Sequence, residues 1–118
     1  MDEDEFFAGY EQSRDLYASL KSGIEELGAL RIRITKSQIA FYHRRAFAWA
    51  WIPARYLPHA AAPLVLSLAL HRRDDSPRWK EVVEPTAGHF MHHLELYSDE
   101  QLDEELQAWL QEAFKLAG

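Results

Sequence analysis

The chain reads as an α+β fold: an N-terminal helix, a mostly antiparallel sheet of about five or six strands, and a C-terminal helix. Three observations predict it. Near both ends apolar residues recur every three or four positions, at Leu16, Leu20, Ile24 and Leu27, and again at Leu102, Leu106, Trp109, Leu110 and Ala113. That is the period of one helix face. Between them the period falls to two, in Leu30–Thr35, Gln38–His43 and Ala46–Trp51, as in strands with one buried side. Finally, 118 residues at 47% hydrophobic suffice for one domain with a core of its own. That domain is expected to span residues 1–118, with 1–9 loosely ordered apart from Phe6 and Phe7, which tuck onto it.

Element by element, the first helix runs from about Glu11 to Leu27 and stops at Gly28, since glycine accepts the positive φ of a helix end. Three strands follow, joined by the two-residue turns Lys36-Ser37 and Arg44-Arg45. This register pairs Ile34 with Ile39, Ile32 with Phe41 and Leu30 with His43, then sets Ile39, Phe41 and His43 against Ala50, Ala48 and Ala46. The resulting face is apolar, with an alanine strip that leaves room for a helix. Pro53, Pro58 and Pro63 mark a loop, and Leu64–Leu70 is apolar at nearly every position, the mark of a central strand covered on both sides. After the polar turn Arg72–Pro77, a short strand is expected near Trp79–Glu84 and a last one over Phe90–Tyr97. Ser98-Asp99-Glu100-Gln101 matches a capping box and is expected to open the final helix.

Charge and composition exclude several classes. There is no cysteine, so thiol nucleophiles, disulfides and Cys-ligated metals are excluded. The opening Met1-Asp2-Glu3-Asp4-Glu5 has the wrong charge for a secretion signal, and the apolar run around Ala60–Leu70 is far shorter than the ~20 residues of a membrane span. A soluble, cytoplasmic protein without a membrane partner is expected. The net charge of −6 argues against nonspecific nucleic-acid binding. It conceals a basic segment, residues 31–80, between acidic ends.

The second sheet face concentrates the chemistry. In the same register it carries Arg31, Tyr42 and Phe47 in one row, Arg33, Ala40 and Trp49 in the next, and Thr35, Gln38 and Trp51 in a third. Three readings compete: a second core with snorkelling arginines, a dimer or partner interface, and a platform for an anionic ligand or nucleic acid. The Arg78-Trp79-Lys80 stretch is either an anion clamp, with Arg78 making bidentate contact beside Trp79, or a structural anchor. His92 and His93 point to opposite faces and cannot share a metal. His93 shares its face with Glu95, at the roughly 7 Å of an i, i+2 strand pair. No GxSxG, phosphate-binding glycine loop or dinucleotide fingerprint occurs, and no cofactor or metal is expected.

The stretches Thr35–Phe41, Phe47-Ala48-Trp49, Leu64–Leu70 after Pro63, Ser76–Pro85 and His92–Leu96 together resemble a bacterial domain-of-unknown-function family. That family is distantly similar to domains loosely labelled "predicted transport protein". The resemblance spans about Gly28 to Phe114 and implies a small α+β domain in a bacterial cytosol. It supplies no activity, cofactor or catalytic residue.

The leading expectation is a small noncatalytic binding module for an anionic or aromatic ligand, nucleic acid included. Its face is built from Arg31, Arg33, Tyr42, Trp49, Trp51, Arg78 and Trp79. Two alternatives stand beside it: an enzyme using Lys36, His93, Glu95 and Arg78 in a pocket at one end of the sheet, and a domain that homodimerises through its tryptophan face.

Overall fold

The computed structural model describes residues 1–118. Helices α1 (Glu3–Phe6) and α2 (Glu11–Glu25) precede strands β1 (Arg31–Ile34), β2 (Ile39–Tyr42) and β3 (Ala46–Trp51). Strands β4 (Leu64–Leu70), β5 (Glu81–Thr86) and β6 (His89–Leu96) follow, and α3 (Glu104–Leu116) closes the chain. The six strands form one sheet in the order β1-β2-β3-β4-β6-β5, with every neighbouring pair antiparallel. The fold is α+β as the sequence predicts, and no helix is long and apolar enough to cross a membrane.

Register assigns the two faces. Ile32, Phe41, Ala48, Leu68, His92 and Val82 are successive partners across all six strands, and Ile34, Ile39, Ala50, Leu66 and Leu94 form the parallel row. Both helices lie on this face. Tyr17 of α2 stacks near Phe41, ring centroids 6.2 Å apart, and Phe114 of α3 meets Phe47 at 5.5 Å. Ala48 and Ala50 are fully buried, so the alanine strip lets α3 approach β3 without side chains between the backbones. Each large aliphatic side chain buried here contributes roughly 1.5–3 kcal/mol of transfer free energy. Phe6 and Phe7, at 0% and 2% exposure, belong to the same core.

The ends of the helices follow from local chemistry. Gly28 takes φ +146°, and a Cβ there would stand 3.3 Å from the Phe114 ring, so a side chain would be both strained and crowded. Asp103 caps α3 by accepting from the Leu106 N–H. His43 Nδ1–H donates to the Phe114 carbonyl at 2.9 Å, tying the β2–β3 turn to the last turn of α3.

Three sequence expectations need correction. The β2–β3 register slips between Phe41 and Tyr42, so that Tyr42 pairs with Ala46. This bulge turns Phe47 away from the arginine face and into the helix-side core, where it is fully buried. The capping box at Ser98 is formed, but it caps a single 3-10 turn, Asp99–Gln101, and the helix starts afresh at Glu104. The fifth strand begins at Glu81, leaving Trp79 in the turn before it.

The alanine strip gives a direct test. Ala50 is fully buried beneath the helix layer, so Ala50→Leu forces that layer off the sheet or the new side chain into a strained rotamer, at a cost of about 1–3 kcal/mol. The urea midpoint should fall accordingly, and an unchanged midpoint would contradict close helix approach at this position.

Candidate functional site

On the other face of the sheet a third row of partners runs from edge to edge: Arg33, Ala40, Trp49, Ser67, His93 and Glu81. Trp51, Val65 and Glu95 lie in the row beside it, as do Tyr42 with Arg31 and Met91 with Val83 on the far side. No helix covers these residues. Trp49 and Trp51 are half-buried, and Arg31 and Arg33 are exposed. The Arg31 guanidinium sits 5.2 Å from the Tyr42 ring centroid, within cation–π range.

At the Trp51 end the loop after β3 overhangs the sheet. Arg55 pins it, donating to the carbonyls of Lys36 and Phe6 while its guanidinium lies over the rings of Phe6 and Tyr10. Tyr56 Oη–H adds a bond to the Ser37 carbonyl. Lys36, expected to offer its ammonium, thus contributes its carbonyl to a loop anchor. His59 in this loop adopts φ 65°, a left-handed conformation uncommon outside glycine.

Between loop and sheet lies a cavity of about 720 Å³. Its floor is Trp51, Val65, His93 and Glu95, with Leu57 and His59 on the loop side and Lys80 and Tyr97 at the rim. Leu57 and Tyr97 are 53% and 48% exposed, unusual for large apolar side chains flanking one hollow.

A hydrogen-bonded chain organises the floor. Trp51 Nε1–H donates to Ser67 Oγ at 3.2 Å, and that oxygen is 2.7 Å from His93 Nδ1. Ser67 is 4% exposed. Because its oxygen already accepts from Trp51, directing the hydroxyl proton to Nδ1 satisfies every group. Neutral His93 then carries its proton on Nε2, which has no partner within the chain. Burial pushes the His93 pKa down, against the raising effect of the Glu81 charge, so the ring is neutral at pH 7. Glu95 pairs with Lys80 at 3.7 Å. The cavity therefore presents an N–H donor, a carboxylate acceptor and an indole wall. Ser67, the residue that orients both Trp51 and His93, was missed in the sequence because a serine inside an apolar strand carries no motif.

Arg78 and Trp79 lie elsewhere. Arg78 donates to Asp103, Glu105 and the Gln101 carbonyl at 2.8–3.0 Å and lies over the Trp109 ring. Trp79 is 8% exposed and packs on Trp109 at 4.3 Å and His92 at 4.9 Å. Its Nε1–H donates to Asp74 Oδ2 at 2.8 Å. Burial raises the Asp74 pKa, but hydrogen bonds from Trp79, Ser76 and Arg72 outweigh it and hold the carboxyl below its usual range. The Asp74 N–H in turn donates to His92 Nε2 at 3.0 Å. This constellation anchors the β4–β5 connection to α3.

A second groove of about 610 Å³ runs between α2 and the start of α3. Two of its four carboxylates are already engaged: Asp99 accepts from Ser19, and Asp103 caps α3 and pairs with Arg78. No group of three or more His, Cys, Asp and Glu side chains is placed to hold a metal.

His92 makes a prediction on pH. Burial lowers its pKa, as it does for His93, so the folded chain holds both rings neutral while the unfolded chain takes up protons near the ordinary value of about 6.5. Stability is therefore full above that pH and falls as pH drops through it toward the folded values. Urea unfolding at pH 7.5 and 5.5 should show this loss, and His92→Gln should reduce it; an equal pH slope in the variant would contradict the assignment.

A family model described as a domain of unknown function (DUF5655) matches residues 3–117, and the chain belongs to that family. No curated protein and no solved structure matches it.

Proposed function

We propose that this DUF5655 domain is a small noncatalytic binding module that takes a planar nitrogen heterocycle in the cavity beneath the Pro53–Ala61 loop. The observation that carries this reading is the Trp51–Ser67–His93 chain. It orients an indole wall and a neutral imidazole on a rigid sheet, beside the Glu95 carboxylate. A ring bearing an acceptor next to a donor, as nucleobases do, would accept from His93 Nε2–H and donate to Glu95, with one flank against Trp51. Apolar walls with a few placed polar groups are the usual make-up of small-molecule sites.

The charges refine the ligand class. Glu81 and Glu95 stand at the cavity and its only cation, Lys80, is already paired. A polyphosphate or a nucleic-acid backbone would meet carboxylates there, so an aromatic ligand is favoured over a polyanion. Catalysis has less support. Arg78 and Lys36 do not line the cavity, and the Ser67 hydroxyl is buried between Trp51 and His93. The lack of cysteine fits a reducing, cytoplasmic setting.

Titration with adenosine, guanosine and cytidine tests the reading. Tryptophan fluorescence should change saturably with at least one of them in the micromolar-to-millimolar range, and the change should vanish in Trp51→Phe but persist in Trp49→Phe. His93→Ala should weaken binding about tenfold, the worth of one good hydrogen bond of roughly 1.4 kcal/mol. No response to any nucleoside, or a response indifferent to Trp51, would contradict the proposal. Tight, salt-sensitive binding of a single-stranded oligonucleotide would instead favour a polyanion site.

A further inference from the structure

The Trp49 row runs into the cavity at His93 and Glu81, and the charges at its two ends pose a separate question. It opens with a cation and ends with an anion. Arg33 on edge strand β1 and Glu81 on edge strand β5 are both exposed, and neither has an ion-pair partner within the chain. Between them the half-buried Trp49 ring stands over a face that no helix covers. The edges themselves are poor sites for strand addition, because β1 alternates arginines outward and β5 carries Glu81, Glu84 and Pro85, the devices that block edge pairing.

We propose that this face is an isologous interface between two copies of the chain, related by a twofold axis lying between the sheets and parallel to the strands. Two in-plane axes are available to sheets stacked face to face. An axis perpendicular to the strands sets each strand on its own copy, so Arg33 meets the partner's Arg33 and Glu81 meets the partner's Glu81. The parallel axis reverses the strand order. Arg33 then faces the partner's Glu81, Ala40 faces the partner's His93, and Trp49 faces the partner's Ser67. Opposite charges meet at both edges, and between them the His93 and Trp49 rings each meet a small side chain. Charge rules out the first axis and size agrees with the second.

The contact is modest in size. Six strands about 4.8 Å apart make a face roughly 24 Å wide, part of which lies beneath the Pro53–Ala61 loop. His93 and Glu81 of this row also line the cavity, so the dimer contact and a cavity ligand share those two residues, and association is measured without ligand.

Sedimentation equilibrium over a concentration series tests it. The wild-type chain should pass from monomer to dimer with concentration. Arg33→Glu and Glu81→Arg should each weaken association tenfold or more, and both residues are exposed, so the fold is retained. An equimolar mixture of the two variants should recover association, because each mixed pair sets opposite charges at both edges; the double variant should recover it alone. A strict monomer at millimolar concentration would overturn the proposal, as would a dimer indifferent to either charge reversal or a mixture that fails to recover.

Discussion

The burial of one sheet face, and only one, decides most of this structure. Alternate residues form continuous rows across the sheet, Ile32 to Val82, apolar except for His92, and Ile34 to Leu94, apolar throughout, and the helices settle on them. The supply of helices sets the limit. α2 and α3 have 15 and 13 residues, and each covers a strip about 10 Å wide. Side by side they span roughly 20 Å of a sheet that six strands make roughly 24 Å wide. Nothing of comparable size remains to cover the opposite face, and α1 is a single turn.

Placement of the functional candidates follows from that asymmetry. The aromatic and arginine residues that crowd one stretch of sequence are sorted into three environments. Trp51, His93 and Glu95 line a cavity beneath a loop that Arg55 pins in place. Arg31, Arg33, Tyr42 and Trp49 lie on the uncovered sheet. Arg78 and Trp79 join α3 to the turn before β5, where Asp74 accepts from Arg72, Ser76 and Trp79. Residues of one chemical type thus serve recognition on one face and cohesion on the other.

Much of this was legible in the sequence. Period-two alternation in β1, β2 and β3 placed Ile32 opposite Phe41 and Arg33 opposite Ala40, both of which the sheet shows, because one-sided burial ties register to pattern. The alanines at 48 and 50 announced a close helix. What escaped reading had non-local causes. The bulge at Tyr42 comes from the turn meeting α3, through His43 on the Phe114 carbonyl, and no local signal marks it. Trp79 is buried because Trp109 and His92 come to it from 30 and 13 residues away. Ser67 gained its meaning from β3 and β6, on either side of its strand. The capping box at Ser98 was real, but Asp103 offered a second cap and took the helix start.

The central claim is that the sheet is covered on one side, and the four tryptophans report on it from both. Trp79 and Trp109, at 8% and 6% exposure, lie on the helix side, while Trp49 and Trp51 lie on the other, half-buried. Acrylamide quenching of single-tryptophan variants, at dilutions where the chain is monomeric, reads this difference directly. Trp49 and Trp51 should be quenched several-fold more readily than Trp79 and Trp109. Equal protection of all four would mean that the second face is covered, and the one-sided account would fail.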